Sequence, residues 1–262
     1  MLRNTFIHLP GVGPKTERSL WDIGYIEWQD VANRPRPRTW GAARWDDLKA
    51  RVGESEAALL ARDAQYFERR LHASETWRIY RFFSDKAAFV DIETTGLSGP
   101  DAQITVVGVY DGNDVHQFVE GIDLEKFQEF IEPFELLVTY NGKCFDIPIL
   151  RNRFRRAHLE RKGHIDLRYV FAAQGFSGGL KGIEKRLGIA RPGEVAQMDG
   201  YAAVICWFRY CQGQTEYLDL LRQYNAEDTR NLKPLAETAC VMARQKLVTG
   251  TPLMEGANSD GG

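Results

Sequence analysis

Residues 89–97 read Phe89-Val90-Asp91-Ile92-Glu93-Thr94-Thr95-Gly96-Leu97, an apolar and β-branched run that carries two acids and stops after a glycine. The pattern predicts a strand in which Asp91 and Glu93 point to one side while Val90 and Ile92 point to the other. Two carboxylates held this close repel each other unless a cation lies between them. Oxygen ligands suit Mg²⁺ or Mn²⁺. The alternative is an edge strand whose solvent-facing side happens to be acidic.

The composition is that of an ordinary water-soluble globular protein, with 262 residues, 44% of them hydrophobic and 27% charged. No apolar run approaches about 18 residues, and residues 1–5 lack the apolar core of a secretory signal. The sequence therefore predicts a cytoplasmic protein without membrane contact. The four cysteines are too sparse and irregularly spaced for a zinc site or a disulfide framework.

The charge is unevenly distributed along the chain. A net charge of −2 argues against a generic binder of polyanions. Residues 1–88 hold 15 Lys and Arg against 12 Asp and Glu, whereas residues 89–262 hold 19 against 24. An acidic cluster in the second part would be consistent with a metal site before its ions bind.

The N-terminal segment centres on a turn with two glycines, Leu9-Pro10-Gly11-Val12-Gly13, and continues as Pro14-Lys15-Thr16. Such a turn exposes backbone amides, Pro14 fits the first turn of a helix, and amides at a helix N-terminus bind phosphate. The segment resembles the helix-hairpin-helix motif. The resemblance implies that Gly11, Val12, Gly13, Lys15 and Thr16 contact a nucleic-acid backbone without reading its sequence. The alternative is a tight turn that opens a small helical cap.

The rest of the chain predicts a sheet flanked by helices. Strands over Ile104–Tyr110 and Val115–Val119 are expected to pair antiparallel across a turn at 111–114. A strand over 136–140 precedes a helix that begins near Pro148. Together they predict an α/β fold. We expect a helical N-terminal region over residues 1–80, a main domain over 81–248 and a flexible tail over 249–262.

Two further helices are predicted from local patterns. Apolar residues at helical spacing, Leu60 among them, predict a helix over 54–71. The helix that begins near Pro148 is expected to continue through four arginines, with a lysine beyond them: Arg151, Arg153, Arg155, Arg156 and Lys162. This basic helix either grips phosphate groups or forms a solvated face.

Further acids follow the first pair. Asp146 comes just after the strand over 136–140, where loop-borne site residues lie in open sheets. Tyr224 and Asp228 are four residues apart on a predicted helix and so share one face. The alternatives are a helix cap for Asp146 and a solvated surface acid for Asp228. For Asp166 we expect a capping role at a strand end in preference to support of a metal ligand.

Three motifs occur in a characteristic order: Asp91-x-Glu93, Asn141-x-x-x-Phe145-Asp146 and Tyr224-x-x-x-Asp228. This set resembles the DEDDy branch of the DEDD exonucleases in the ribonuclease H-like superfamily, and the flanking sequence resembles a group of predicted prokaryotic nucleases of that superfamily. The resemblance implies a ribonuclease H-like mixed sheet flanked by helices. It also implies 3′→5′ exonuclease activity with two divalent metal ions, Mg²⁺ or Mn²⁺.

The resemblance also assigns roles to residues. Asp91, Glu93, Asp146 and Asp228 would hold the metals. Tyr224 would orient the attacking water, since a phenol that titrates near pH 10 is a poor base at neutral pH. The substrate contacts would come from five residues, which are Thr94, Thr95, Leu97, Asn141 and Phe145.

The expected partner is nucleic acid, with DNA favoured over RNA and a single-stranded 3′ end as the substrate. Two alternatives stay open. One is a structure-selective endonuclease that uses the same site, and the other is a nucleic-acid-binding module without catalysis.

Overall fold

The computed structural model describes residues 1–96 and 102–249, and within them the chain forms five strands and eleven α-helices. The strands are β1 (Ala87–Thr94), β2 (Ile104–Tyr110), β3 (Val115–Val119), β4 (Leu136–Thr139) and β5 (Gly163–Asp166). The helices are α1 (Pro14–Asp22), α2 (Trp28–Asn33), α3 (Ala42–Leu60), α4 (Ala64–Glu68), α5 (Trp77–Phe83), α6 (Phe127–Phe130), α7 (Asp146–Arg153), α8 (Leu167–Ala173), α9 (Leu180–Arg186), α10 (Gly200–Cys211) and α11 (Glu216–Thr249).

The strands form one mixed sheet in the order β3-β2-β1-β4-β5, with β1 at its centre. β1 pairs antiparallel with β2, and β2 pairs antiparallel with β3. β4 runs parallel to β1 and to β5. The predicted hairpin of β2 and β3 is confirmed with the expected bounds, and the predicted strand over 136–140 ends one residue earlier, at Thr139.

Helices cover both faces of the sheet. Phe89 of β1 belongs to one hydrophobic cluster, together with side chains of α8 and α11. Val90 and Ile92 belong to a second cluster on the opposite face, built with Phe127 and Phe154. The alternation of side chains along β1 divides the strand between these two cores.

The N-terminal helices belong to the same hydrophobic cluster as Phe89. Phe67 of α4 stacks on Trp28 of α2, with ring centroids 5.9 Å apart. The guanidinium of Arg78 on α5 forms a buried ion pair with Glu17 of α1 at 3.0 Å. The expected boundary at residues 80–81 lies within α5.

The predicted helix over 54–71 is wrong at both ends. α3 begins at Ala42 and ends at Leu60, which is 75% exposed and so is not a core position. Arg62 then takes a left-handed conformation with φ 55°. Asp63 caps the new helix α4 by accepting a hydrogen bond from the amide of Tyr66 at 2.9 Å. The chain thus leaves α3 before Arg62 and starts α4 after the capping acid, although the apolar spacing continues across this break.

The predicted basic helix through Arg156 is also wrong. α7 ends at Arg153, and the chain continues in short 3-10 turns around His158, whose φ is 47°. The arginines at 151, 153, 155 and 156 are exposed. Lys162 is buried and donates to the carbonyl oxygens of Glu132 and Phe134 at 2.9 and 2.6 Å, so it is not available to a phosphate.

α11, which carries Tyr224 and Asp228, continues to Thr249. The expected flexible tail over 249–262 therefore falls outside the described residues except for Thr249. None of the helices within residues 1–96 and 102–249 is both long and apolar enough to cross a membrane.

Candidate active site

β1 presents its two acids on one face. Asp91 and Glu93 alternate with Val90 and Ile92, which lie in the hydrophobic cluster on the opposite side. The acids therefore share the face of Phe89, on which α11 packs.

Helix α11 carries the other site residues over this face. It lies against β1 and β2, and Gly108 of β2 is the partner of Asp91 in the strand pairing. A Cβ atom added to Gly108 would overlap with the side chain of Asn225 on α11. The glycine thus permits a close approach of helix to sheet, which brings Tyr224 and Asp228 to the acids of β1.

The three acids Asp91, Glu93 and Asp228 form a compact cluster. One carboxylate oxygen from each lies within 4.8 Å of the others. Oε1 of Glu93 is buried, and no hydrogen-bond partner is found for it in the part of the chain that the structure describes. An unsatisfied oxygen in a set of hard oxygen donors fits a divalent cation such as Mg²⁺ or Mn²⁺.

Burial and mutual repulsion set the protonation of this cluster. Burial raises the pKa of Asp91 and of Glu93, and the neighbouring Asp228 carboxylate raises both further. Burial also raises the pKa of Asp228, although the guanidinium of Arg191 opposes this shift. A bound divalent cation would favour the charged forms of all three acids.

Asp146 lies beside the cluster as the first residue of α7. Its Oδ1 accepts a hydrogen bond from the amide of Ile92 at 3.1 Å. The pairing of β1 with β4 ends at Phe89. At Ile92 the carboxylate of Asp146 therefore provides the hydrogen-bond acceptor that a neighbouring strand would otherwise provide. Burial raises the pKa of Asp146 to about 7, although the Ile92 amide lowers it.

An open cavity lies over the acids, and the residues that line it come from β1 and the turn after it, from the residue that precedes α7, and from α10 and α11. They are Asp91, Ile92, Glu93, Thr94, Gly96, Phe145, Gly200, Val204, Tyr224 and Asp228. The structure thus brings together six of the residues singled out from the sequence. Asp146 and Asn141 are not in this lining.

The other expected substrate contacts are placed as follows. Thr94 uses its hydroxyl to donate to the carbonyl of Gly96 at 2.6 Å. The Thr95 hydroxyl accepts from the amide of Gln103 at 3.1 Å. Leu97 lies outside the described residues.

Asn141 lies in a tightly held turn between β4 and α7. Its φ is 67°, in the left-handed region, and its side-chain oxygen accepts a hydrogen bond from Arg168. The two carboxylate oxygens of Asp166 accept from the amides of Asn141 and Lys143, at 2.8 and 3.0 Å. Asp166 also accepts from the amide of Arg168 at 3.0 Å and so caps α8. The expected capping role of Asp166 is therefore observed.

The N-terminal turn lies at the start of α1. Gly11 has φ 77°, and Gly13 is the residue before the helix that begins at Pro14. Lys15 is exposed and Thr16 is half-buried, whereas Val12 is buried in the core. The chain before the turn forms only a three-residue 3-10 helix, Leu2–Asn4.

Sequence reasoning missed two residues of this site. Asn225 donates to Asp91, and Arg191 forms an ion pair with Asp228. The glycine inside the otherwise β-branched strand β2 is a signal for close contact of another element, and it could have pointed to Asn225. Nothing in the local sequence around Arg191 marks it.

Comparison with known proteins places the chain in a family. A family model described as the RNase_H superfamily matches residues 88–240, which is more than half of the chain. No curated protein gave a match. Among solved structures, the chain is similar to the family B DNA polymerase from the hyperthermophilic archaeon Pyrobaculum calidifontis, with 19% sequence identity and a TM-score of 0.48. The similarity covers 63% of this chain and 26% of the polymerase chain, so this chain spans only about a quarter of that protein.

The family match and the observed sheet agree with each other. The predicted ribonuclease H-like mixed sheet flanked by helices is confirmed. The matched region includes the three acids of the cluster, Asp91, Glu93 and Asp228, and also Asp146. The chain therefore belongs to the RNase H superfamily.

Proposed function

We propose that this chain is a metal-dependent 3′→5′ exonuclease that hydrolyses phosphodiester bonds of DNA or RNA. Membership of the RNase H superfamily supports a nuclease that acts on nucleic acids. The observation that carries the proposal is the convergence of Asp91, Glu93 and Asp228 within 4.8 Å in a cavity that Tyr224 also lines.

Asp91, Glu93 and Asp228 would hold divalent cations, with Asp146 completing the set from its position beside β1. Two such ions, Mg²⁺ or Mn²⁺, would neutralise charge on the phosphoryl group and lower the pKa of the attacking water. The protein supplies the fixed carboxylates and a cavity open to the substrate.

Tyr224 acts by orienting the attacking water. Burial raises the pKa of its phenol, and the Asp228 carboxylate raises it further, so the hydroxyl keeps its proton at neutral pH. A protonated hydroxyl can both donate and accept a hydrogen bond. It is therefore suited to hold a water molecule and unsuited to remove a proton from it.

The substrate enters along Thr94 and Phe145, which line the cavity. An aromatic ring there offers a stacking surface to a base without selecting its identity. Asn141 would contact the strand from the turn before α7. We favour a single-stranded 3′ end of DNA as the substrate, with RNA as the other candidate.

The N-terminal turn, whose residues do not line the cavity, would dock the nucleic-acid backbone. Gly11, Gly13, Lys15 and Thr16 would contribute amide and side-chain contacts there, and the buried Val12 would hold the turn in place. Arg44 adds a positive charge beside the turn, where its guanidinium donates to the carbonyl of Gly11 at 3.4 Å. Contacts of this kind position a nucleic acid without reading its bases.

The test is degradation of single- and double-stranded DNA and RNA, labelled at either end, in Mg²⁺ or Mn²⁺. The wild-type protein should shorten the substrate from its 3′ end, and D91N and D228N should abolish this. D219N is the matched control, because Asp219 is an exposed acid on the same helix as Asp228. Full activity in both site variants would refute the proposal.

The same panel separates the rival functions. Cleavage of a circular single strand, which has no ends, would establish an endonuclease on this site. Tight binding in EDTA without turnover in any metal would establish a binding module that has lost catalysis.

A further inference from the structure

Arg191 is a buried cation at the edge of the acid cluster. Its Nη2 contacts Oδ1 of Asp228, and its side chain is only 4% exposed. Its Nε and Nη2 also donate to the two carboxylate oxygens of Glu184, at 2.7 and 2.8 Å. Glu184 in turn accepts from Nδ2 of Asn231 at 3.0 Å. Arg191 therefore links α9 to α11 next to the site.

The turn that follows α9 places Arg191 next to the acid cluster. α9 ends at Arg186, and Gly188 turns the chain with φ 74°. The amide of Ile189 then donates to the carbonyl of Glu184 at 2.9 Å. The turn reverses the direction of the chain, which then runs back beside α9. Arg191 can therefore contact both Glu184 and the acid cluster.

The guanidinium acts on all three acids of the cluster. It lowers the pKa of Asp91, Glu93 and Asp228 against the dominant effect of their burial. Its Nη1 is buried and has no hydrogen-bond partner in residues 1–96 and 102–249. Burying a hydrogen-bond donor without a partner costs free energy. A guanidinium kept in this position is therefore expected to have a role beyond packing.

We propose that Arg191, anchored by Glu184 and Asn231, is a positioning residue that serves as the resident counter-ion of the acid cluster and is antagonistic to divalent metal binding. This inference rests on the proposed function only in so far as the cluster binds metal. Before a cation binds, the guanidinium balances part of the charge of the three carboxylates. A divalent cation then competes with Arg191 for Asp228, so each weakens the hold of the other on that carboxylate.

The experiment measures Mn²⁺ binding by electron paramagnetic resonance and the thermal midpoint in EDTA and in Mn²⁺. In R191Q the midpoint in EDTA should fall, since three neighbouring carboxylates, two of them buried, lose their counter-ion. The affinity for Mn²⁺ should nevertheless rise, by roughly 5- to 150-fold if the coupling is of the usual size. A purely structural role predicts the opposite sign, because a loosened Asp228 would bind Mn²⁺ more weakly.

R78Q is the matched control. Arg78 is likewise buried and paired with a glutamate, Glu17, but it lies between α1 and α5. Its loss should lower the midpoint equally in EDTA and in Mn²⁺ and leave the Mn²⁺ affinity unchanged.

Two more variants keep the inference testable if R191Q does not fold. R191K retains the charge, so its Mn²⁺ affinity should stay within about twofold of wild type. E184Q removes a carboxylate and leaves the guanidinium, so it should bind Mn²⁺ more weakly than wild type. Tighter binding in E184Q, or unchanged or weaker binding in R191Q, would overturn the counter-ion role alone. A wild-type protein that binds no Mn²⁺ would overturn both this role and the proposed function.

Discussion

Asn225 on α11 donates from Nδ2 to the carboxylate of Asp91 on β1 at 3.2 Å and to the backbone carbonyl of the same residue at 3.3 Å. Its Oδ1 accepts from Nε2 of Gln117 at 3.0 Å. The neutral amide of Asn225 thus fixes the side-chain rotamer of Asp91. Without it, repulsion from the neighbouring acids would determine that rotamer. Outer contacts of this kind hold ligands in the geometry that a metal requires.

We expect N225A to reduce nuclease activity by about 10- to 100-fold and the free energy of unfolding by about 1–3 kcal/mol. The physical reason is that Asp91 loses a donor and becomes free to rotate. Steady-state kinetics and urea unfolding check these values. N113A, which changes an exposed asparagine in the turn between β2 and β3, should match wild type in both. Full activity in N225A would show that Asp91 is held by other contacts.

Gly108 should not tolerate a side chain. In G108A the added Cβ would overlap with Asn225 and Thr229, so α11 must move away from β1. Overpacking of this kind costs about 1–3 kcal/mol or more, and it should also lower activity because Asp228 moves with the helix. Thermal unfolding and substrate degradation measure the two effects.

G53A provides a control of opposite sign. Gly53 lies within α3, is exposed, and has open space where a Cβ would be. Alanine is favoured over glycine in a helix by roughly 0.5–1 kcal/mol, so G53A should stabilise the protein. If G108A were as stable as G53A, the close contact between α11 and β2 would be refuted.

The sequence predicted those parts of the fold and site that depend on local pattern. The period of two in residues 89–94 correctly placed Asp91 and Glu93 on one face, and the turn at 111–114 correctly joined β2 to β3. These features need only the alternation of a strand and the chemistry of a turn.

The features that the sequence did not reveal depend on contacts between distant segments. Asn225 and Asp91 are 134 residues apart, and Arg191 becomes part of the site only because Gly188 turns the chain back along α9. The two predicted helices that extended past the observed helix ends failed for a different reason. Apolar or basic spacing continued through Asp63 and Phe154, where the backbone leaves the helix.

Y224F should lower kcat by about 10- to 100-fold without changing the shape of the pH–rate profile between pH 6 and 9. Misplacing the attacking water by about 1 Å is enough for such a loss. The phenol keeps its proton in this range, since burial raises its pKa. Y217F removes the hydroxyl of another tyrosine on α11, one that pairs with Arg209, and should have little effect. If the wild-type rate instead rose with pH across this range and the rise disappeared in Y224F, the phenol would be identified as a base.

Asp146 should make the metal-free protein less stable as the pH rises. Burial raises its pKa to about 7 in the folded protein, against about 3.9 in an unfolded chain. Between these values the folded state holds a proton that the unfolded state has lost. The free energy of unfolding contributed by this group therefore falls with increasing pH across that interval, by at most about 1.4 kcal/mol per pH unit.

Urea unfolding in EDTA at pH 5, 6, 7 and 8 measures this slope. D146N cannot lose a proton, so its free energy of unfolding should fall less steeply than that of wild type, whereas D219N should keep the wild-type slope. Mn²⁺ binds deprotonated carboxylates and should stabilise wild type more at pH 8 than at pH 5. Equal slopes in wild type and D146N would mean that Asp146 is already ionised at pH 5. In that case the hydrogen bond from the Ile92 amide would favour the charged carboxylate more than burial disfavours it.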